Sequence, residues 1–475
     1  MIRFFLLLIL TFGFQTTYAD TRLPSLTGPG VAMVAADAEY RLGRNWARIL
    51  RGRAPLLEDP ITYHYLDDLL WRLVPSSQIT DRRLELIMLD NPSFNAFAVP
   101  GGIIGVHGGL FLAAESEDEL ASVLAHELAH LSQRHFAQRM EEERRARPLV
   151  LAGILASILI SAADVQGGTA ALSTTIAAQA QSQLSFSRRY EQEADRIGMQ
   201  TLAASGLDPH AMPQMFSRLQ RNYRFYGQRP PEFLLTHPVT ESRIADSLNR
   251  AETLPKPAES AYNPEYEIVK TRLEVHFSNQ PAQTLQRYQA DNLANPSAKN
   301  DYGIVMAAMR NGQISLAREH LKKLPAAWRQ HLYIALSEVE IMLSAGEYAE
   351  AFERSSTLNK IYPDNLPVRK LLATAARETG KLQQATTIYR QILRDYPTDT
   401  DSLFQLAETE GLLGNILAVH EARIDYFLLT GNFDHAQRQV EFAKRDSSQS
   451  PADISRFEEK AAEVEEIRKQ VREDL

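Results

Sequence analysis

The chain has 475 residues, 44% of them hydrophobic and 23% charged, an ordinary globular composition with room for two or three domains. A net charge of −8 argues against a nucleic-acid or anionic-membrane binder. The absence of cysteine excludes disulfides and thiolate metal sites.

At the N-terminus, Arg3 precedes an apolar run from Phe4 to Phe14, and Thr17-Tyr18-Ala19 offers small residues before a cut. This is the pattern of a secretory signal peptide over residues 1–19, too short to span a bilayer comfortably. Residues 23–30 read as an irregular arm, 31–50 as the start of a helix, and Tyr63 to Leu73 as a short amphipathic helix stopped by Pro75. The period then changes. Leu84 to Leu89, Phe94 to Val99 and Ile103 to Val106 are predicted strands, with Pro100-Gly101-Gly102 as a turn. This small sheet is either an edge on which an extended substrate backbone pairs or only a cover for the next helix.

That helix, expected from Ser116 to Met140, carries His126-Glu127-Leu128-Ala129-His130. Ser116 with Glu119 reads as a capping box, and Leu120, Val123, Leu124, Leu128 and Leu131 form a helical apolar stripe. Residues four apart share a helix face, so His126 and His130 can aim two imidazoles at one Zn²⁺. Glu127 sits about 100° round the helix, placed to take a proton from a metal-bound water rather than to bind the metal. With only 12 histidines in the chain, chance is a poor source of such a motif.

Residues 148–163 are apolar all round but short of a spanning helix. They read as a buried core helix or, alternatively, as an interfacial segment making peripheral membrane contact. A long helix is predicted over 170–204, closed by Ser205-Gly206. With Glu191 set at zero and about 100° per residue, Asp195 falls near 40° on the apolar face, and Glu193 near 200° on the solvated one. An inward carboxylate needs a partner, and a zinc ion short of one ligand is such a partner. Glu141 to Glu143 are poorer candidates, because Glu141 lies roughly 16 Å up the helix axis from His130. Glu191 is therefore assigned as third ligand and Asp195 as the group orienting a ligand histidine; a buried salt bridge from Asp195 to an arginine stays open. Further on, Pro238 holds the preceding His237 extended, in a loop or at a helix entry.

From about residue 265 the pattern is wholly helical. Gly312, Gly346, Gly380 and Gly414 recur every 34 residues; Ala317, Ala351 and Ala385 keep that step, as do Pro363 and Pro397. This is the tetratricopeptide pattern of one helix pair per repeat. Gly431 with Ala436 suggests a further repeat out of phase, and Arg456 to Leu475 a charged capping helix.

Val-Leu-Ala-His-Glu-Leu-Ala-His around His126, Arg-Arg-Tyr-Glu-Gln-Glu-Ala-Asp at 188–195 and Thr-His-Pro at 236–238 together resemble the M48 zinc metallopeptidases. The resemblance implies an α+β, mainly helical protein: a zincin-like peptidase domain with a small β-sheet over 20–255, then an all-α tetratricopeptide solenoid over 256–475. It implies one Zn²⁺ held by His126, His130 and Glu191, with Glu127 as general base and Asp195 as catalytic or supporting. His237 either caps the zinc and keeps the enzyme latent or helps stabilise the oxyanion, with Arg243 as the second oxyanion group. It further implies a periplasmic endopeptidase with chaperone-like activity. Its substrates would be unfolded or misassembled outer-membrane proteins, and its repeats would meet the barrel-assembly machinery. The alternative is a repeat-based chaperone or scaffold whose peptidase is mostly latent. An intramembrane enzyme of this family is disfavoured by the lack of further long apolar runs.

Overall fold

A computed structural model describes residues 29–138, 188–226, 232–257, 263–447 and 450–475. The expected signal peptide, nearly all of the arm at 23–30, the apolar run 148–163, residues 170–187 and Glu141 to Glu143 lie outside the described residues.

Helix α1 (Pro29–Arg53) leads into α2 (Pro60–Leu73), where Asp59 is the N-cap, accepting from Ile61 N–H, and Pro60 occupies the first turn. A 3₁₀ turn through Pro75 ends α2. Strands β1 (Glu85–Leu89), β2 (Ala96–Val99) and β3 (Ile103–His107) form one sheet in the order β1-β3-β2. β1 runs parallel to β3 and β2 antiparallel to it, with Ala98 opposite Ile104. Every residue of the three strands is buried; this sheet sits inside the molecule, so its strands are continuous apolar runs rather than alternating ones.

A short α3 (Gly109–Ala113) precedes α4 (Glu117–Ser132), the motif helix. The Ser116 hydroxyl accepts from Glu119 N–H at 3.2 Å, while the Glu119 carboxylate returns to Glu115 N–H, one residue before the usual partner of a capping box. α4 ends at Ser132, short of the expected Met140. The chain turns at Arg134, whose φ of 53° is left-handed, and the turn drops His135 into the interior. No glycine or proline signals this stop; the contacts that His135 gains, described below, offset a left-handed non-glycine residue.

Helix α5 (Arg188–Ala204) crosses α4 closely because Gly198 has no side chain: a Cβ there would lie 3.1 Å from His126 N and 3.2 Å from the Ala125 carbonyl carbon. Gly206 at φ 75° ends α5, with Leu207 N–H donating to Leu202 O at 3.0 Å. Then follow α6 (Ala211–Tyr226), α7 (Glu232–Thr236) and α8 (Glu241–Ala251).

The remainder is helical. α9 and α10 (Glu265–His276, Pro281–Ala294) are followed by α11 and α12 (Ala298–Arg310, Ile314–Lys323) and the short α13 (Ala326–Arg329). The pairs α14 and α15 (Leu332–Ser344, Tyr348–Ile361), α16 and α17 (Leu366–Glu378, Leu382–Asp395), and α18 and α19 (Thr400–Leu412, Ile416–Leu429) come next. α20 (Phe433–Asp446) and α21 (Pro451–Asp474) close the chain. The 34-residue glycines sit at the turn inside each pair with φ of 72–77°, the left-handed value that stops one helix and starts its mate. Ala317, Ala351 and Ala385 are fully buried where the helices of a pair touch. α21 is amphipathic despite its charge: Phe457, Val464 and Val471, seven apart, are its buried residues.

Among the described residues the repeats meet the preceding part on more than one side. On one side Arg272 of α9 reaches Asp59 at the head of α2 and Glu340 of α14. On the other, α1 meets the C-terminal helices: Asn45 donates to Asp474 at 2.8 Å, Arg48 donates to Leu428 O at 2.9 Å, and Gly52 packs against the Thr430 carbonyl. One apolar core runs continuously from Leu57 to Ala422.

Candidate metal centre

His126 and His130 project from one face of α4, and Glu191 faces them from α5, all three essentially without exposure. His237 closes the group from the end of α7, where its N–H donates to Phe233 O at 2.6 Å and its ring packs 4.8 Å from that of Phe233. One donor atom from each of these four residues lies within 4.8 Å of every other.

The spacings suit a tetrahedral ion. Bonds of about 2.05 Å put neighbouring ligand atoms roughly 3.3 Å apart. Here His126 Nε2 lies 3.0 Å from His130 Nε2 and 3.3 Å from His237 Nδ1. The Glu191 oxygens are 3.1 Å from His237 Nδ1, 3.4 Å from His130 Nε2 and 3.6 Å from His126 Nε2. Three imidazoles and one carboxylate are also the donor chemistry of a zinc-type site.

Asp195, one turn beyond Glu191, stands 3.0 Å from His126 Nδ1. It also receives Arg243 through two bonds, Nε to Oδ2 at 2.7 Å and Nη2 to Oδ1 at 2.6 Å. Both alternatives for Asp195, orienting a histidine and pairing with a buried arginine, therefore coexist. Arg243 gives its remaining Nη1 to Glu191 at 2.8 Å and to Pro238 O at 2.9 Å. With its donors so engaged and only 3% exposure, it braces the site and the loop carrying His237.

The electrostatics follow from burial and these pairs. Burial would raise Glu191, but His237 and Arg243 override it and hold the carboxyl well below its usual range. Burial would lower His126, but Asp195 and Glu191 prevail and raise it to about 9. His130 is pushed well below its ordinary value by burial and by the neighbouring His126. The two carboxylates thus draw positive charge into the cluster.

Glu127 is buried, accepts a hydrogen bond from Ala98 N–H on β2, and lies with Oε1 3.6 Å from His237 Nε2. Among the described residues that oxygen has no hydrogen-bond partner. Burial raises its carboxyl above the usual range. Glu193 is 37% exposed, as its helical angle predicts, yet reaches His135 at 3.4 Å.

Sequence reasoning missed His135 and Phe233. On an unbroken helix His135 would sit about 140° away from His130; the turn at Arg134 reverses that, and nothing local announces it. Phe233 lacks any motif of its own.

Residues 60–251 match the family described as "Peptidase family M48", and residues 342–408 match "Tetratricopeptide repeat". The chain is 35% identical over 423 residues to the "Beta-barrel assembly-enhancing protease" of Escherichia coli (strain K12), covering 88% of this chain and 86% of that protein. It is 34% identical over 422 residues to the "Putative beta-barrel assembly-enhancing protease" of Vibrio cholerae, covering 87% and 86%. A mitochondrial metalloendopeptidase of Schizosaccharomyces pombe is 30% identical over 187 residues, 38% of this chain and 52% of that one. Among the described residues no helix is long and apolar enough to cross a membrane. Likeness along nearly the whole length to proteases of this kind makes the chain a member of the M48 metallopeptidases that carry tetratricopeptide repeats behind the peptidase.

Proposed function

We propose that the chain is a periplasmic zinc endopeptidase acting in the assembly and quality control of outer-membrane β-barrel proteins, and that His237 holds it latent. The observation that carries this reading is the convergence of His126, His130, Glu191 and His237 beside the Glu127 carboxylate, whose Oε1 lies 3.6 Å from His237 Nε2. The outer-membrane setting and the substrates follow the names of the relatives. Misassembled clients are degraded, and the repeats engage clients and the barrel-assembly machinery.

Zinc, when bound, supplies a Lewis acid that polarises the scissile carbonyl and acidifies a water. Glu127 would take the proton of the attacking water as the carbonyl carbon is attacked, and would hand it to the departing amide nitrogen as the C–N bond breaks. Asp195 keeps the Nδ1 side of His126 engaged, so that Nε2 faces the centre. Arg243 holds Asp195 and Glu191 in place and ties down Pro238, next to His237.

His237 occupies the fourth position of the donor set, where substrate or water must come. That supports the latch over the oxyanion role. It also supports the second reading, a repeat-based chaperone whose peptidase is mostly idle. Casein digestion by the purified mature chain separates these. Glu127→Gln should keep zinc and fold but lose about 10³-fold or more in rate. His237→Ala should keep zinc and digest faster, with more self-cleavage. A slower His237→Ala enzyme would favour the oxyanion role, for which a loss of about 10²–10³ is expected. Full rescue of a deletion strain by Glu127→Gln would favour the chaperone.

A further inference from the structure

Each ligand histidine has a second ring nitrogen, and what that nitrogen meets decides how firmly the first is aimed. Asp195 serves His126. For His130, Nδ1 lies 3.0 Å from Nδ1 of His135, a fully buried imidazole. The far nitrogen of His135, Nε2, lies 3.4 Å from the Glu193 carboxylate. The His135 ring stacks on Tyr190, centroids 4.6 Å apart and planes 26° apart.

We propose that His135 is the positioning residue for His130, and that Glu193 sets its tautomer. The inference rests on the metal site proposed above. To offer Nε2 to a metal, neutral His130 must carry its proton on Nδ1. That N–H needs an acceptor inside the protein, since neither ring meets solvent. His135 Nδ1 can accept only if the His135 proton sits on Nε2, and the Glu193 carboxylate is the group that stabilises a proton there. The relay runs Glu193 to His135 to His130, a carboxylate–histidine pairing lengthened by one ring. Tyr190 fixes the plane of that ring. A single turn of α5 therefore brings the stacking ring (Tyr190), the ligand (Glu191) and the relay carboxylate (Glu193). The left-handed turn at Arg134 acquires a purpose, because only there does the chain leave α4 in time to place His135 against His130.

The test measures zinc affinity of the full mature chain by competition with a chromophoric chelator, with circular dichroism to follow the fold. His135→Phe keeps an aromatic ring against Tyr190 but has no acceptor, and should bind zinc about 10- to 100-fold more weakly. His135→Asn keeps an acceptor oxygen near the place of Nδ1, and should stay within about threefold of wild type. Glu193→Gln, at a half-exposed position that tolerates substitution, should weaken binding by about threefold. In the zinc-loaded wild type, ¹⁵N spectra of histidine-labelled protein should show the protons on His130 Nδ1 and His135 Nε2. Wild-type affinity in folded His135→Phe overturns the proposal, as does an Asn variant as weak as the Phe variant, which would signify packing alone. If His135→Phe does not fold, unchanged affinity in Glu193→Gln or a proton on His135 Nδ1 overturns it. A wild-type chain that binds no zinc would instead overturn the metal-site reading, and this inference with it.

Discussion

Arg272 joins the repeats to the peptidase part, and replacing it with alanine tests how strongly. Its guanidinium is 6% exposed and meets Asp59 through Nε at 2.8 Å and Nη2 at 3.0 Å, and Glu340 through Nη1 and Nη2, both at 2.8 Å. Arg272→Ala leaves two carboxylates facing each other without a cation. Removing one partner of a buried pair costs about 3–5 kcal/mol. Asp59 and Glu340 keep 17% and 18% exposure, so water recovers part of that and about 3 kcal/mol is the better figure. For a chain of this length the unfolding entropy is roughly 1 kcal/mol/K, so Tm should fall by about 3 °C. Local opening is the sharper readout: amide exchange at the head of α2 and along α14 should speed by about 100-fold. Replacing the triad together (Asp59→Asn, Arg272→Met, Glu340→Gln) should restore most of the loss, since the Asn still caps α2 and no charge is left unpaired. The pH dependence carries a sign. Burial would raise Asp59, but Arg272 overrides it and holds the carboxyl below its ordinary value. That contribution is complete above about pH 4 and disappears as pH falls through the lower, folded-state value, so wild type and variant should converge in acid. A Tm within 1 °C of wild type, with unchanged exchange at α2, would refute this account of the joint.

Two further changes probe the site and its support. Gly198→Val should push α5 off α4, costing about 2–3 kcal/mol and weakening zinc binding, because its two Cγ atoms add to a Cβ already 3.1 Å from His126 N. Gly198→Ala should cost far less, since a helix-propensity gain of about 1 kcal/mol offsets the tight contact; equal effects of the two would contradict the close-crossing argument. His107 at the end of β3 is held by burial at about 4, well below its ordinary 6.5. The unfolded chain therefore takes up a proton first as pH falls, and stability should decline by about 3 kcal/mol between pH 6.5 and 4. His107→Gln should flatten that limb in urea titrations, and an unchanged slope would show that other groups carry it.

Local periodicity made much of this protein legible before any tertiary information. Short apolar runs separated by turn residues gave away β1, β2 and β3 to within two residues at each end. The 34-residue step placed the helix pairs, because each turn inside a pair needs a left-handed glycine at a fixed offset. The spacing of four put His126 and His130 on one face, and helical angles alone separated buried Glu191 and Asp195 from half-exposed Glu193. These features depend on backbone geometry over a turn or two, and sequence reports such geometry directly. What only the tertiary structure decided concerns groups brought together across the chain. His237 comes within reach of His126 from 111 residues away, and Arg243 gives its donors to Asp195, Glu191 and Pro238. α4 stops at Ser132 although nothing in its residues forbids another turn, and the break there lets His135 meet His130, Glu193 and Tyr190. The partners of a buried polar group are chosen by which surfaces pack, and that choice is made by the whole fold rather than by the residues beside it in the chain.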